Sequence, residues 1–311
     1  MKKVGIELGI KGSIESIRKA ALIADRNNLD YYFVPETNPK FIGVDAFEAL
    51  HNMVGRVSKV RLGTGIVNVF SRSKEELFKL ADNLYHETKG SFVLGIGTSA
   101  PAVVEKMYNI KFEKPISRIK QYTNYLKSRY SGPIYWSVIG DKITQLAAEY
   151  ADGVIFFLKP EGEIKHSIEI IEEKLVSIGK TLDSFEIISI RPTYVNSSKQ
   201  KARNAARMTI AGYVGANEFY SRPLNDAGYE KEVFEIRESF RNFGLASAAE
   251  KVSDKMVREL ATFGTIKDCQ IELNEFFDRT EIKTIVAGFD LPRDNYDSEF
   301  FENLDRLVNK L

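Results

Sequence analysis

Residues 61–97 read RLGTGIVNVFSRSKEELFKLADNLYHETKGSFVLGIG. The run 59–67 is β-branched and closes on Gly63-Thr64-Gly65, which reads as a strand. Residues 73–88 carry Leu77, Leu80, Ala81 and Leu84 at helical spacing, with Ser73 and Glu76 placed as a capping box and Lys89-Gly90 as the stop. Residues 91–97 are a second apolar strand, again ending in glycines. Strand, helix, strand predicts a parallel pair joined by a crossover. Glycines at both strand ends predict a ligand at the carboxyl edge, because backbone there can approach a flat or phosphorylated group closely.

The alternation repeats on both sides of this unit. Upstream, residues 4–9 and 31–36 read as strands, and 13–28 and 45–55 as helices. Downstream, 101–108 and 115–129 read as helices, 133–138 as a strand, 141–151 as a helix, 153–158 as a strand and 161–178 as a long amphipathic helix. Residues 185–195 and 283–289 are the last strands, with helices at 265–278 and 298–311. Between them, 198–263 shows no strand pattern, only helix broken near 221–228. Eight short apolar strands alternating with helices predict a (β/α)8 TIM barrel, with 198–263 as a mostly helical insertion between strands seven and eight. No linker or repeat divides residues 1–311, so one domain is expected.

Composition bounds the function. The balance of 44 basic to 43 acidic residues leaves no electrostatic footprint for nucleic acid or an acidic membrane. The single Cys269 excludes an intramolecular disulfide framework and fits a reducing compartment. No uninterrupted apolar run approaches membrane-spanning length, and the polar start MKKVGIELGIKG does not read as a signal peptide. A cytoplasmic protein acting on a small-molecule substrate is expected.

In a barrel the chemistry lies at the carboxyl ends of the strands. The residues there are Glu7–Gly9, Glu36–Asn38, Gly65–Asn68, Gly97–Ser99, Val138–Gly140, Phe157–Lys159, Arg191–Tyr194 and Gly288–Asp290. Glu7 sits between Ile6 and Leu8, so alternation turns it into the barrel near the mouth. A carboxyl there is costly unless paired, with Arg191 as one partner to consider, or used as a proton donor with a raised pKa. Glu36, at the end of the second strand, is expected to be more solvated. Gly140 opens a helix at Asp141 and suits an anion. His51, His86 and His166 fall in helical stretches, no spacing reads as a metal site, and Cys269 reads as a core residue.

At these residues the chain resembles the bacterial-luciferase-like superfamily, and within it the coenzyme F420-dependent methylenetetrahydromethanopterin reductases of archaea. Four segments carry the resemblance in order: Val4–Glu7, Leu62–Arg72 (LGTGIVNVFSR), Leu94–Thr98 with Lys114-Pro115, and Pro133–Phe156 (PIYWSVIGDKITQLAAEYADGVIF). The resemblance implies a barrel, usually a homodimer or higher homo-oligomer, holding a deazaflavin or flavin at its mouth. It implies a cis peptide at Gly65-Ile66 backing the ring, cofactor contact at Asn68, and backbone contacts at Gly97, Thr98 and Ser99. It assigns Ile139, Gly140, Lys142 and Ile143 to the tail phosphate, and Glu7 to the proton donor.

The chain also departs from the family. The second strand ends in Glu36-Thr37 where relatives commonly have Asp-His, and Ala100 stands where an acid usually follows Gly-x-Gly. Three functions follow from these residues. The first is an oxidoreductase using coenzyme F420 for hydride transfer, with Glu7 as proton relay. The second is an FMN-dependent monooxygenase. The third is a non-catalytic barrel that keeps the scaffold, supported by Thr37 and Ala100.

Overall fold

The computed structural model describes residues 2–8, 12–36, 44–290 and 296–311. Its strands are β1 (Lys3–Leu8), β2 (Tyr31–Val34), β3 (Arg61–Thr64), β4 (Val67–Asn68), β5 (Phe92–Gly97), β6 (Ile134–Ser137), β7 (Gly153–Phe157), β8 (Glu186–Val195), β9 (Thr262–Gly264) and β10 (Thr284–Phe289). All pairings are parallel. The order β10-β1-β2-β3-β5-β6-β7-β8 closes on itself where Thr284 meets Ile188 and Gly288 meets Pro192. This is the expected eight-stranded TIM barrel, with β4 continuing β3 after a break at Gly65-Ile66.

The helices form where the sequence caps them. Ser13 Oγ accepts from Ser16 N at 3.1 Å and starts Ile14–Arg26, which buries Ile17, Ala20, Ala21, Ile23 and Ala24 against the strands. Each large aliphatic side chain so buried contributes about 1.5–3 kcal/mol. Ser73 caps Lys74–Glu87 through Glu76 N, but the reciprocal half of the expected capping box is missing. The Glu76 carboxylate lies 3.8 Å from Arg72 Nε instead. A complete box forms at Thr265 and Asp268, opening Ile266–Thr280, where Cys269 is buried in the core as expected.

The barrel interior is filled, not hollow. Tyr31, Phe33, Val93, Tyr135, Ile155, Ile188, Ile190 and Val286 pack there. Beneath them Lys3 Nζ meets Glu186 Oε2 at 2.5 Å, and Thr284 Oγ1 donates to Glu186 Oε1 at 2.6 Å. These groups seal the amino-terminal end, so a ligand is left the carboxyl-terminal mouth.

The insertion has its own core, in which Ala206, Ile210, Val214, Val233, Ile236, Met256 and Val257 pack together. Its helices Lys199–Ala216 and Glu230–Phe243 approach closely at Gly215, where a Cβ would stand 2.5 Å from the Phe240 ring. The helical run is broken near 221–228 as expected: the short helix Ser221–Asp226, with Pro223 in its first turn, stops before Gly228, whose φ is 84°, and Glu230–Phe243 starts afresh. One expectation for this region changes, since it is not free of strand up to residue 263. Thr262–Gly264 pairs with the overhang Thr193–Val195 of the long β8, and three residues are too few to display alternation in sequence. No helix among the described residues is long and apolar enough to cross a membrane.

Candidate active site

Glu7 stands at the carboxyl end of β1, turned into the barrel and 9% exposed, while Ile6 and Leu8 pack outward in the main core. No hydrogen bond or ion pair reaches its carboxyl among the described residues. Burial first, and the charge of Asp290 second, push its pKa up to about 8. Gly65 faces it across the mouth: a Cβ there would lie 2.1 Å from Glu7 Oε2 and 3.1 Å from Pro35 Cα. Only glycine leaves room for that carboxyl.

The peptide joining Gly65 to Ile66 is trans, since no described residue has a cis bond, and this corrects the expected cis geometry. Gly65 N donates to Val34 O at 2.8 Å and Ile66 O accepts from Glu36 N at 3.1 Å, so both ends of the bulge are satisfied by the end of β2 and the chain just past it. The half-buried Ile66 packs on the interior cluster. Asn68 follows, 5% exposed. Its Oδ1 accepts from Phe70 N at 2.9 Å, and its buried Nδ2 has no partner among the described residues. Asn68 pairs with Gly97 of β5, where a Cβ would meet Ile66 and Ser137 only at 3.4 Å. Thr98 and Ser99 continue the rim, Ser99 with a left-handed φ of 57°. The buried Ala100 then caps Pro101–Tyr108 without a side-chain hydrogen bond.

Glu36 is not the solvated acid expected. Its side chain is 3% exposed and paired with Arg72, which also pairs with Asp45. It further accepts from Asn68 N at 3.1 Å and Ser71 Oγ at 2.9 Å. The burial has a simple cause: β4 and the turn after it bring a guanidinium and two other polar groups over the end of β2. Gly9, Thr37 and Asn38 lie outside the described residues.

After β6, Gly140 caps Asp141–Tyr150 with no side-chain hydrogen bond. The face of Gly140 is open except for Arg222, whose guanidinium would lie 3.7 Å from a Cβ there. Lys159, 6% exposed, donates from Nζ to Ile139 O at 2.8 Å. Burial lowers its pKa to about 8 against the opposing charges of Glu163, Asp141 and Asp226. Ile143 packs against the main core, while the exposed Lys142 lines an outer groove of about 480 Å³ with Gln145, Ile170 and Glu173. Of the expected phosphate segment, Ile139 and Gly140 face the rim and Lys142 turns away from it.

Residues 2–137 and 127–280 match the model of the luciferase-like monooxygenase family. The chain belongs to that family. It is similar to a 5,10-methylenetetrahydromethanopterin reductase of Archaeoglobus fulgidus, 25% identical over 92% of this chain and 93% of that protein. The solved coenzyme F420-dependent tetrahydromethanopterin reductase of Methanopyrus kandleri superposes with a TM-score of 0.82 at 16% identity, covering 100% of this chain and 98% of that one. The oxygenating constituent of a 3,6-diketocamphane monooxygenase of Pseudomonas putida, in complex with FMN, superposes with a TM-score of 0.70 at 12% identity, covering 99% and 97%.

In this luciferase-like barrel Arg191 is no partner of Glu7. Ile190 points inward from β8, so Arg191 points outward, 2% exposed. It donates to Thr262 Oγ1 at 3.0 Å, to Arg258 O at 2.8 Å and to Glu259 O at 2.9 Å, and pairs with Glu272 at 3.1 Å. It therefore ties the end of the insertion to the barrel.

The luciferase-like mouth also holds two tyrosines of the insertion, which meet the strand-end Phe157. Tyr213 of Lys199–Ala216, Tyr220 of the 3-10 turn Glu218–Tyr220 and Phe157 of β7 meet edge to face, with centroids 5.0, 5.4 and 6.2 Å apart. Burial raises both phenol pKa values, and the charge of Glu7 acts on each, joined at Tyr213 by Asp290. The insertion thus reaches over the mouth on the Glu7 side. Lys159 and Asp290 stand at strand ends, which was their one visible signal. No signal in the sequence brings Tyr213 and Tyr220 to the mouth, since that follows from how the insertion docks.

Proposed function

We propose that this chain is a coenzyme F420-dependent oxidoreductase that transfers hydride to or from a small substrate, in the manner of the methylenetetrahydromethanopterin reductases. One observation carries the reading. Glu7 is a buried carboxyl without a hydrogen bond or ion pair among the described residues, and it opens on a glycine-lined mouth. Such a group costs stability and persists where it is used. The match across 92% of the chain to the Archaeoglobus fulgidus reductase supports the choice of cofactor.

The residues at the mouth fit a deazaflavin. Asn68 Nδ2 is a buried donor with no acceptor among the described residues, and a Cβ at Gly140 would meet only Arg222, at 3.7 Å. Asn68, Gly65, Ile66 and the backbone of Gly97, Thr98 and Ser99 would hold the ring side. Ile139, Gly140 and Ile143, with Lys159 and Arg222, would hold the phosphate side, and Lys142 contributes charge from outside. When bound, the cofactor supplies the hydride chemistry. The chain binds it, orients it, excludes water with Phe157, Tyr213 and Tyr220, and gives or takes a proton at the Glu7 carboxyl oxygen.

FMN is the second reading. Lys159 and Arg222 beside Gly140 suit a single terminal phosphate equally well. The non-catalytic reading has less support, because a barrel that only binds gains nothing from a buried carboxyl without a hydrogen bond or ion pair among the described residues.

The test is a thermal melt of the purified protein with coenzyme F420 and FMN in parallel. A ligand at about 100 times its Kd adds about 2.7 kcal/mol, a rise of about 4 °C for a chain of this size. Stabilisation by coenzyme F420 alone supports the reductase-like reading. Stabilisation by FMN alone moves the chain to the monooxygenase branch, and no response to either overturns both.

A further inference from the structure

Burial raises the pKa of Glu7, and the strand register shows what stands beside it. β1 and β10 pair with Glu7 opposite Gly288 and Leu8 opposite Phe289. Phe289 turns outward onto Phe300 of the closing helix Ser298–Val308, with centroids 5.7 Å apart. Side chains alternate along a strand, so Gly288 and Asp290 face the barrel axis with Glu7. Asp290 is thus the diagonal neighbour of Glu7 across the β1–β10 pair, one step nearer the mouth. Its charge acts on Glu7, Tyr194 and Tyr213, in keeping with that facing.

We propose that Asp290 is the positioning residue for the proton of Glu7: of two inward carboxyls on neighbouring strands, Asp290 takes the charge and Glu7 keeps the proton. The inference rests on reading Glu7 as the proton donor. Two carboxyls that share a site cannot both ionise freely, and the proton settles on the one that water solvates less. That one is Glu7, which is buried, while Asp290 is half-buried beyond the end of its strand. The other titratable groups acting with Glu7 are phenols: Tyr32 from β2, and Tyr213 and Tyr220 from the insertion. None is charged at neutral pH, and no described cation acts on Glu7. In this arrangement Glu7 is a weak acid that regains its proton readily after giving it up, the property a proton relay needs near neutral pH.

The experiment reads Glu7 in the unliganded protein. The side-chain carboxyl carbons of glutamate are labelled with carbon-13, the Glu7 signal is assigned by its loss in Glu7→Gln, and its chemical shift is followed through neutral and alkaline pH. The wild-type midpoint is expected near 8. Asp290→Asn and Asp290→Ser should each lower it by about one pH unit, and Asp290→Glu should restore it. Two neutral variants guard against one that fails to fold. An unchanged midpoint in either folded neutral variant overturns the proposal, as does an equal drop in Asp290→Glu. The donor role is tested apart from this, by turnover of Glu7→Gln. A moved midpoint with full Glu7→Gln turnover would remove the donor role and leave the carboxyl pair standing.

Discussion

The backbone N–H of Asn68 donates to Glu36 Oε2 at 3.1 Å, so the carboxyl two residues past β2 fixes the residue whose buried Nδ2 has no hydrogen-bond partner among the described residues. The same carboxyl holds Ser71 and Arg72. Three polar contacts from residues 68–72 converge on one nearly buried acid.

Glu36→Ala should therefore damage both fold and binding. It leaves Arg72, 11% exposed in its side chain, short of its inner partner. Breaking such a buried pair costs about 3 kcal/mol or more, to be measured by chemical denaturation. Asn68 loses its backbone anchor, so cofactor affinity should fall with stability. A variant of wild-type stability would show that the pair is dispensable.

Glu7→Gln should separate activity from stability. Loss of the proton donor lowers turnover by about 10²- to 10⁴-fold while cofactor affinity stays near wild type. The sign of the stability change follows from linkage. The Glu7 pKa rises from 4.5 to about 8 on folding, so between those values the folded chain holds a proton the unfolded chain has lost. Stability from this group thus falls as pH rises through that window. Gln has no proton to lose, so the variant should gain a few kcal/mol at neutral pH and nothing at acid pH. Thermal melts across the pH range check it, and an identical pH dependence in both proteins would contradict the assignment.

Much of this arrangement is legible in sequence. Strand ends at Gly65, Gly97 and Gly140 announce the mouth, and the apolar neighbours Ile6 and Leu8 turn Glu7 inward. Parity also decides against Arg191 as its partner, since Ile190 already faces in. What stays hidden depends on distant contacts. The burial of Glu36 needs Arg72, 36 residues away, to fold back over β2. β9 exists only because β8 overhangs the barrel. Lys142 is a helix residue whose facing depends on the neighbouring helix Glu161–Ser177, with which it lines a groove.

Lys159→Met tests the phosphate side. The wild-type ammonium is buried on Ile139 O and titrates near 8, below the ordinary lysine value of 10.5. Between those values the unfolded chain carries the extra proton, so this group adds stability as pH rises through the window and costs stability below it. Lys159→Met should gain about 1–3 kcal/mol at neutral pH and lose about tenfold in affinity for a phosphate-bearing cofactor. Wild-type affinity should weaken as pH passes 8, and that of the variant should not. Binding titrations at several pH values decide it, and a variant that binds as tightly as wild type at neutral pH removes Lys159 from the site.

The roof of the mouth gives the last prediction. Phe157, Tyr213 and Tyr220 interlock at 5.0–6.2 Å, and two of the three come from the insertion. Each edge-to-face pair contributes about 0.5–1.5 kcal/mol beyond the area it buries. Tyr220→Ala removes two of these pairs and opens the space above Glu7, leaving Gly65, Asn68 and Gly97 as they are. Substrate KM should rise about tenfold, equivalent to about 1.4 kcal/mol, with cofactor Kd changed less than twofold. Tyr220→Phe keeps the ring and should keep the wild-type KM. If Tyr220→Ala weakens cofactor and substrate alike, the three rings cover the cofactor and not the substrate. If neither changes, the insertion closes over some other part of the mouth.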